Sequence, residues 1–289
     1  MYESYYGFRD KPFSLLPDPA FLYHSTGHRL ALNMLEYGLL HGAGILVMSG
    51  EIGCGKTTIL RHLLDQIGPD FNIGLISNTH PSLGALLPWI LQSLSIDTRG
   101  LTHAEQYHRL VDNLIEQYAL GRRTLVVVDE AQNMDASMHE ELRLLSNLNA
   151  GKDHLLSIVL VGQPELRDIL KRPALQQIAQ RVVAEYHLEA LKLTETEAYI
   201  RHRLRQVNAD AELFEPAAYP VIAYHSRGIP RLINVICDTA LVYGYAEQLH
   251  RIPVSLVRDA IRDRLHYGIL PLRPDSTSGE ASVHLVAGS

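Results

Sequence analysis

The run Gly50-Glu51-Ile52-Gly53-Cys54-Gly55-Lys56-Thr57 follows the spacing G-x-x-x-x-G-K-[ST], which suits a chain that must wrap a phosphate. Glycines let the backbone curl so that successive N–H groups point inward and the ligand comes close. A helix opening at Lys56, with Thr57 and Thr58 in its first turn, would add the positive end of its dipole. Lys56 would then neutralise β- and γ-phosphates while the Thr57 hydroxyl ligates a cation. The run therefore predicts a site for ATP with Mg²⁺.

Leu125-Val126-Val127-Val128-Asp129-Glu130 is a run of apolar β-formers that ends in two carboxylates. At such a strand tip Asp129 is expected to hold hydrated Mg²⁺. Glu130, one residue further, is placed to orient and polarise an attacking water. The second acid favours hydrolysis, because transfer to a small acceptor needs no water-activating group.

Three more side chains are candidates for reading the γ-phosphate. Gln163 follows the apolar run Ser157–Val161, and either senses the phosphate or caps the helix after Pro164. Arg181 precedes the last strand; it either reaches a neighbouring subunit's nucleotide or lies solvated like Arg167 and Arg172. Arg231, in Gly228-Ile229-Pro230-Arg231, falls on the first turn of a helix that Pro230 can start, with Leu232, Ile233 and Ile236 as its packing face. From there it can lean onto the phosphates and couple nucleotide state to domain angle.

The elements that must position these residues are legible as alternating patterns. Strand-like runs are Gly44–Met48, Ile73–Ile76, Thr124–Val128, Ser157–Val161 and Val182–Leu188, with helical stretches between them. Strands alternating with helices imply an α/β fold with a mainly parallel sheet covered on both faces. His28–Leu40 reads as an amphipathic helix. Thr102 with Glu105 is a capping box for a helix over Ala104–Ala119, which Gly121 ends. Asp135 caps a helix over Met138–Leu148, with Gly151 as its stop. After Leu191 the strands cease, and Thr194 with Glu197 reads as the capping box of the first of several helices. The expected division is residues 1–43 as an aromatic-rich segment and helix belonging to the nucleotide-binding core, 44–191 as its α/β body, 192–268 as a helical lid, and 269–289 as a disordered tail.

Composition removes some classes. With 46% apolar and 20% charged residues the chain is an ordinary globular one. A net charge of −6 and a pI near 6.2 supply no global attraction to nucleic acid or an anionic membrane. Cys54 and Cys237 are the two cysteines, and a phosphate-loop cysteine makes a structural disulfide implausible, which fits a reducing cytoplasm. There is no signal peptide and no apolar stretch of about 18–20 residues, so a membrane role would work through a partner. The 15 histidines show no metal-ligand spacing; His103, His108, His24 and His28 read as surface or cap residues. Arg201, Arg203 and Arg205 form a basic run whose default is a solvated helix face.

Taken jointly, GEIGCGKTT, VVVDEAQ, LVGQPEL, QRV, GIPRLIN and the opening YYGFRDKPFSLLPDPAFLY resemble the AAA+ ATPases of the ExeA, or general secretion pathway protein A, type over about Met1 to Leu265. That resemblance implies an AAA+ P-loop NTPase core with a parallel sheet and a small all-helical lid. It also implies sensor 1 near Gln163, a trans arginine near Arg181 and sensor 2 at Arg231. Relatives of this type serve secretion, pilus or exopolysaccharide systems at the bacterial envelope. Some continue into a membrane helix and a peptidoglycan-binding domain; this chain stops after the lid, so a cytoplasmic ATPase, peripheral at the inner membrane through a partner, is expected.

The expected function is thus a Mg²⁺-dependent AAA+ ATPase that self-associates across its nucleotide site and acts as a switch or assembly factor for an envelope complex. A DNA-binding AAA+ regulator of the transposition type is the alternative, opposed by the acidic pI and kept open by Arg201–Arg205. A small-molecule kinase is opposed by Asp129, Glu130 and Arg231.

Overall fold

Five apolar segments form one parallel sheet: β1 (Ile45–Gly50), β2 (Phe71–Ile76), β3 (Arg123–Val128), β6 (Leu156–Gly162) and β7 (Val182–Leu188). The order is β2-β3-β6-β1-β7, and every pairing is parallel. Burial follows position in the sheet. All residues of β1 and β6 are buried, as are all but the first of β3, whereas the edge strands β2 and β7 are only partly covered. A strand buried on both faces is mostly apolar, which is why the central ones read as Val/Ile/Leu-rich runs, with Ser49, Thr124 and Ser157 as small buried polar exceptions. The structure is a computed structural model and describes residues 1–42, 44–77, 79, 84–150 and 153–274.

The chain forms two compact units. The first comprises Thr26–Ile52 and Lys56–Glu189 and contains the sheet. Helices α2 (Thr26–Leu40), α3 (Lys56–Gln66), α4 (Leu86–Ser93) and α5 (His103–Ala119) pack on its strands. Ile45, Val47, Val126, Val128, Ile158 and Leu160 share one core with Ile90, Leu110 and Leu142, each such side chain contributing about 1.5–3 kcal/mol by leaving water. The α5 capping box forms as its sequence implies, Thr102 Oγ1 accepting from Glu105 N and Glu105 Oε2 from Thr102 N. Gly121, in the left-handed region at φ 74°, follows its end. Asp135 caps α6 (Ala136–Leu145) through Met138 N. That helix ends earlier than its apolar pattern suggests, and its expected stop, Gly151, lies outside the described residues. Two-residue strands β4 (Asn149–Ala150) and β5 (Asp153–His154) follow it, unforeseen because two residues carry no periodicity.

The second unit comprises Met1–Ser25, Gly53–Gly55 and the described residues from Ala190 onward. It holds α1 (Tyr2–Tyr6), then, after the short α7 (Glu165–Leu170) and α8 (Gln176–Ala179) of the first unit, α9 (Leu193–Gln206), α10 (Ala218–Ser226), α11 (Pro230–Ala246) and α12 (Val254–Tyr267). Its core unites Tyr2, Phe8 and Phe13 with Phe214, Tyr219, Ile233 and Ile236. The aromatic opening segment therefore packs with the C-terminal helices, not with the α/β body to which its sequence position assigned it. Chain order says nothing about which core an aromatic side chain fills.

Three further expectations are corrected. The first lid helix starts at Leu193, and the reciprocal capping contact is Lys192 N to Glu195 Oε2 at 3.1 Å. Thr194 and Glu197 are already inside the helix, and Glu197 pairs with Arg201 instead. Nor is the basic run solvated throughout: Arg203 is 7% exposed and Arg201 is held by Glu197 and Glu212, while Arg205 is exposed as expected. Part of the expected tail is also ordered. Leu272 is buried, and Arg273 N donates to His225 O at 2.9 Å. Residues 275–289 lie outside the described residues.

Candidate functional site

Parallel strands place all their C-terminal ends along one edge, and loops leaving that edge build a site at a point where neighbouring strands part. Here β1, β6 and β3 are consecutive in the sheet. Their ends carry the Gly50–Thr57 loop, Gln163, and the Asp129–Glu130 pair. The sheet order thus assembles residues from Gly50 to Gln163 that are far apart in the chain.

The loop begins where β1 ends at Gly50 and closes as α3 opens with Lys56, Thr57 and Thr58. Glu51 and Ile52 are exposed, and Cys54 is buried. Lys56 is 7% exposed, and its Nζ donates to Gly50 O at 2.7 Å and Glu51 O at 3.0 Å. The ammonium therefore lies over the loop's own carbonyls. Thr57 Oγ1 donates to Asp129 Oδ2 at 3.5 Å. Burial pushes the Asp129 carboxyl up from its ordinary range, and the neighbouring Glu130 charge adds to this; the Glu130 N–H, Lys56 and Thr57 oppose it. A hydroxyl and a half-buried carboxylate side by side fit Mg²⁺, which takes one or two protein oxygens and completes its shell with water and phosphate.

Glu130 sits in the left-handed region (φ 53°, ψ 36°) immediately after β3. Its carboxylate is held by two amides: Oε2 accepts from Gln132 Nε2 at 2.5 Å and Gln163 Nε2 at 3.1 Å. Gln132 Oε1 in turn accepts from Gln163 N at 3.0 Å, closing a triangle. Thr79 Oγ1 donates to Glu130 O at 2.8 Å, fixing the unusual backbone from below. Sequence reasoning missed Gln132 and Thr79. The first was signalled by the polar residue two places after the acid pair, and the second by a threonine just beyond the end of β2.

Gly53–Gly55 group with the helical unit. Within that unit, Arg231 N donates to Gly53 O at 3.2 Å. A Cβ on Gly53 would lie 2.5 Å from Arg231 Cβ, and Gly53 has φ +85°. Only glycine meets both demands. Arg231 is exposed on the first turn of α11, with Pro230 at its start and Leu232, Ile233 and Ile236 buried behind it.

Arg181 is engaged differently from the other candidates. Its Nη1 donates to Ser146 Oγ at 2.9 Å and Arg143 O at 3.4 Å, at the C-terminal end of α6, where a cation complements the helix dipole.

Residues 39–170 match the AAA domain family. The chain is 40% identical over 253 residues to General secretion pathway protein A of Aeromonas hydrophila, which covers 87% of this chain and 46% of that protein. Among solved structures, it is similar to Aeropyrum pernix ORC2 in its ADPNP-ADP complexes, with a TM-score of 0.67, 20% identity, and coverage of 89% of this chain and 72% of that one. Cdc6p of Pyrobaculum aerophilum gives 0.69 at 17% identity, over 87% and 70% of the two chains. The fold is that of the AAA+ P-loop NTPases. The chain spans less than half the length of that secretion relative. No helix among the described residues is long and apolar enough to cross a membrane.

Proposed function

We propose that this AAA+ protein hydrolyses ATP with Mg²⁺ and uses the cycle as an oligomeric switch or assembly step for a bacterial envelope system. The observation that carries hydrolysis is the Glu130 carboxylate, held by Gln132 and Gln163 beside Asp129. A carboxylate fixed by two amide donors is aimed before any substrate arrives, which is how an enzyme lowers the cost of orienting a water.

In this reading the loop amides and Lys56 bind the β- and γ-phosphates, Lys56 exchanging its two carbonyl partners for phosphate oxygens. Thr57 and Asp129 hold Mg²⁺, which when bound neutralises charge developing between the phosphates. Glu130 orients the water and accepts its proton. Gln163 is the group whose amide can move from the Glu130 carboxylate to the γ-phosphate, so that carboxylate freedom depends on which nucleotide is bound. Arg231 reads the phosphates from the helical unit. Arg181 is the residue offered to a neighbouring subunit; a guanidinium has five N–H donors, so anchoring through Nη1 is compatible with presenting the others.

The envelope assignment is supported by the similarity to General secretion pathway protein A; in this reading the protein works in the cytoplasm and reaches the inner membrane through a partner. The DNA-binding alternative loses most of its local support, because Arg203 is buried and Arg201 is paired with two carboxylates, which leaves Arg205 as the exposed member of the run. The direct test is phosphate release from ATP with and without Mg²⁺, compared with Glu130→Gln. Hydrolysis at the parental rate in that variant overturns the water-activating assignment.

A further inference from the structure

One turn after Arg231 on α11 lies Asn234, which is 5% exposed. Its Nδ2 donates to Ser14 O at 3.2 Å, and its Oδ1 accepts from Tyr199 OH at 2.8 Å. From α9, Arg203 reaches the same stretch: Nε donates to Pro12 O at 2.5 Å, Nη2 to Ser14 O at 3.1 Å and Nη1 to Tyr199 OH at 3.5 Å. Its guanidinium lies 4.5 Å from the centroid of the Phe21 ring. The carbonyl of Ser14 thus accepts from side chains on two helices at once. All of these groups belong to one unit.

A buried arginine is costly unless its donors are matched, and apolar residues of similar volume would often be at least as stable. What the polar arrangement adds is register. It admits one placement of Pro12–Ser14 against α9 and α11, because the Pro12 and Ser14 carbonyls must both meet the fixed fork of Arg203 while Ser14 O also meets the Asn234 amide. The other end of the same turn is equally constrained, since Arg231 N binds Gly53 O and the two residues touch backbone to Cβ. The first turn of α11 is therefore fixed at Gly53 on one side and at Ser14 on the other.

We infer that Arg203 and Asn234 are positioning residues for ATP turnover: they clamp the segment Pro12–Ser14 onto α9 and α11 and so set Arg231 against the phosphate loop. The inference rests on the reading of Arg231 as the residue that senses the phosphates.

The test is a double-mutant cycle in the full chain, with Arg203→Lys, Arg231→Ala and the combination, each checked for cooperative thermal unfolding. Lysine keeps the charge but loses the fork that reaches two carbonyls. Arg203→Lys is expected to lower kcat about tenfold, and the combined variant to be no slower than Arg231→Ala alone, as for residues acting through one another. A combined loss equal to the product of the two single losses overturns the inference. If Arg203→Lys does not fold, Tyr199→Phe, which frees Asn234 Oδ1, replaces it in the same cycle with the same criteria. If Arg231→Ala turns over like the parent, the Arg231 reading fails, and the clamp is judged by amide hydrogen exchange. Acceleration in Arg203→Lys confined to residues 229–235 supports it, and an unchanged rate there overturns it.

Discussion

The Gln163 carboxamide donates to the Glu130 carboxylate at 3.1 Å, and the two residues come from the ends of neighbouring strands. Neither residue is adjacent to the other in sequence, so their pairing depends on β6 lying beside β3. Gln132 completes the arrangement by donating to Glu130 and accepting from the Gln163 backbone. Turnover should then depend on the amides only while the carboxylate is there. Glu130→Gln is expected to bind ATP normally and to turn over about 10²–10⁴-fold more slowly, measured by equilibrium binding and phosphate release. Gln163→Ala should slow the parent but add nothing to Glu130→Gln; multiplicative losses would show that Gln163 acts elsewhere.

Asp129 makes opposite contributions to stability and function. Its carboxyl is held above the usual range by burial, with the Glu130 charge adding to it. A raised carboxyl binds more protons folded than unfolded, so its contribution to stability declines as pH rises through the interval between the unfolded and folded values. Above that interval the buried charge is a standing cost. Asp129→Asn should therefore raise the melting temperature of the nucleotide-free protein at neutral pH while abolishing Mg²⁺-dependent turnover. A lowered melting temperature would mean that the charge is compensated within the fold.

Gly53→Ala combines a steric clash with a backbone conformation that alanine disfavours. The expected cost is more than about 1 kcal/mol of stability, together with weakened ATP binding. Denaturant unfolding and nucleotide titration check both, and a neutral outcome would mean that the first turn of α11 can retreat from the loop.

Mixing variants addresses self-association. Arg181→Ala and Lys56→Ala should each be inactive or slow alone, and mixtures should recover part of the activity if one subunit's Arg181 serves another's nucleotide. Mixtures no faster than the average of the two would leave Arg181 as the cap of α6.

Double-stranded DNA should leave the rate of ATP hydrolysis unchanged at low salt. Marked stimulation that disappears as salt rises would restore the alternative that the pairing of Arg201 and burial of Arg203 now disfavour.

The three central strands were legible because burial on two faces demands strongly apolar runs, the edge strands through shorter apolar stretches at their ends, and the phosphate loop and acid pair because their chemistry fixes residue types at short spacing. What the chain did not disclose is long-range. Arg203 reads as a surface residue in any local window; it is buried because carbonyls from Pro12 and Ser14, almost two hundred residues earlier, meet its donors. The capping box at Thr194 was misread for a related reason, since a local pattern two residues out of phase looks as good as the one used. Gln132 and Thr79 matter only through Glu130, and no spacing rule connects a residue beyond β2 to one beyond β3.

The placement of Met1–Ser25 in the helical unit gives the order of synthesis a role in folding. The α/β body, Thr26–Ile52 and Lys56–Glu189, can collect its whole sheet while the chain is still being made. Tyr2, Phe8 and Phe13 emerge before the helices that bury them, and stay apolar and uncovered until those helices have left the ribosome. The sheet is thus complete before the helical unit that carries Arg231, which closes later around a segment made well before its own helices.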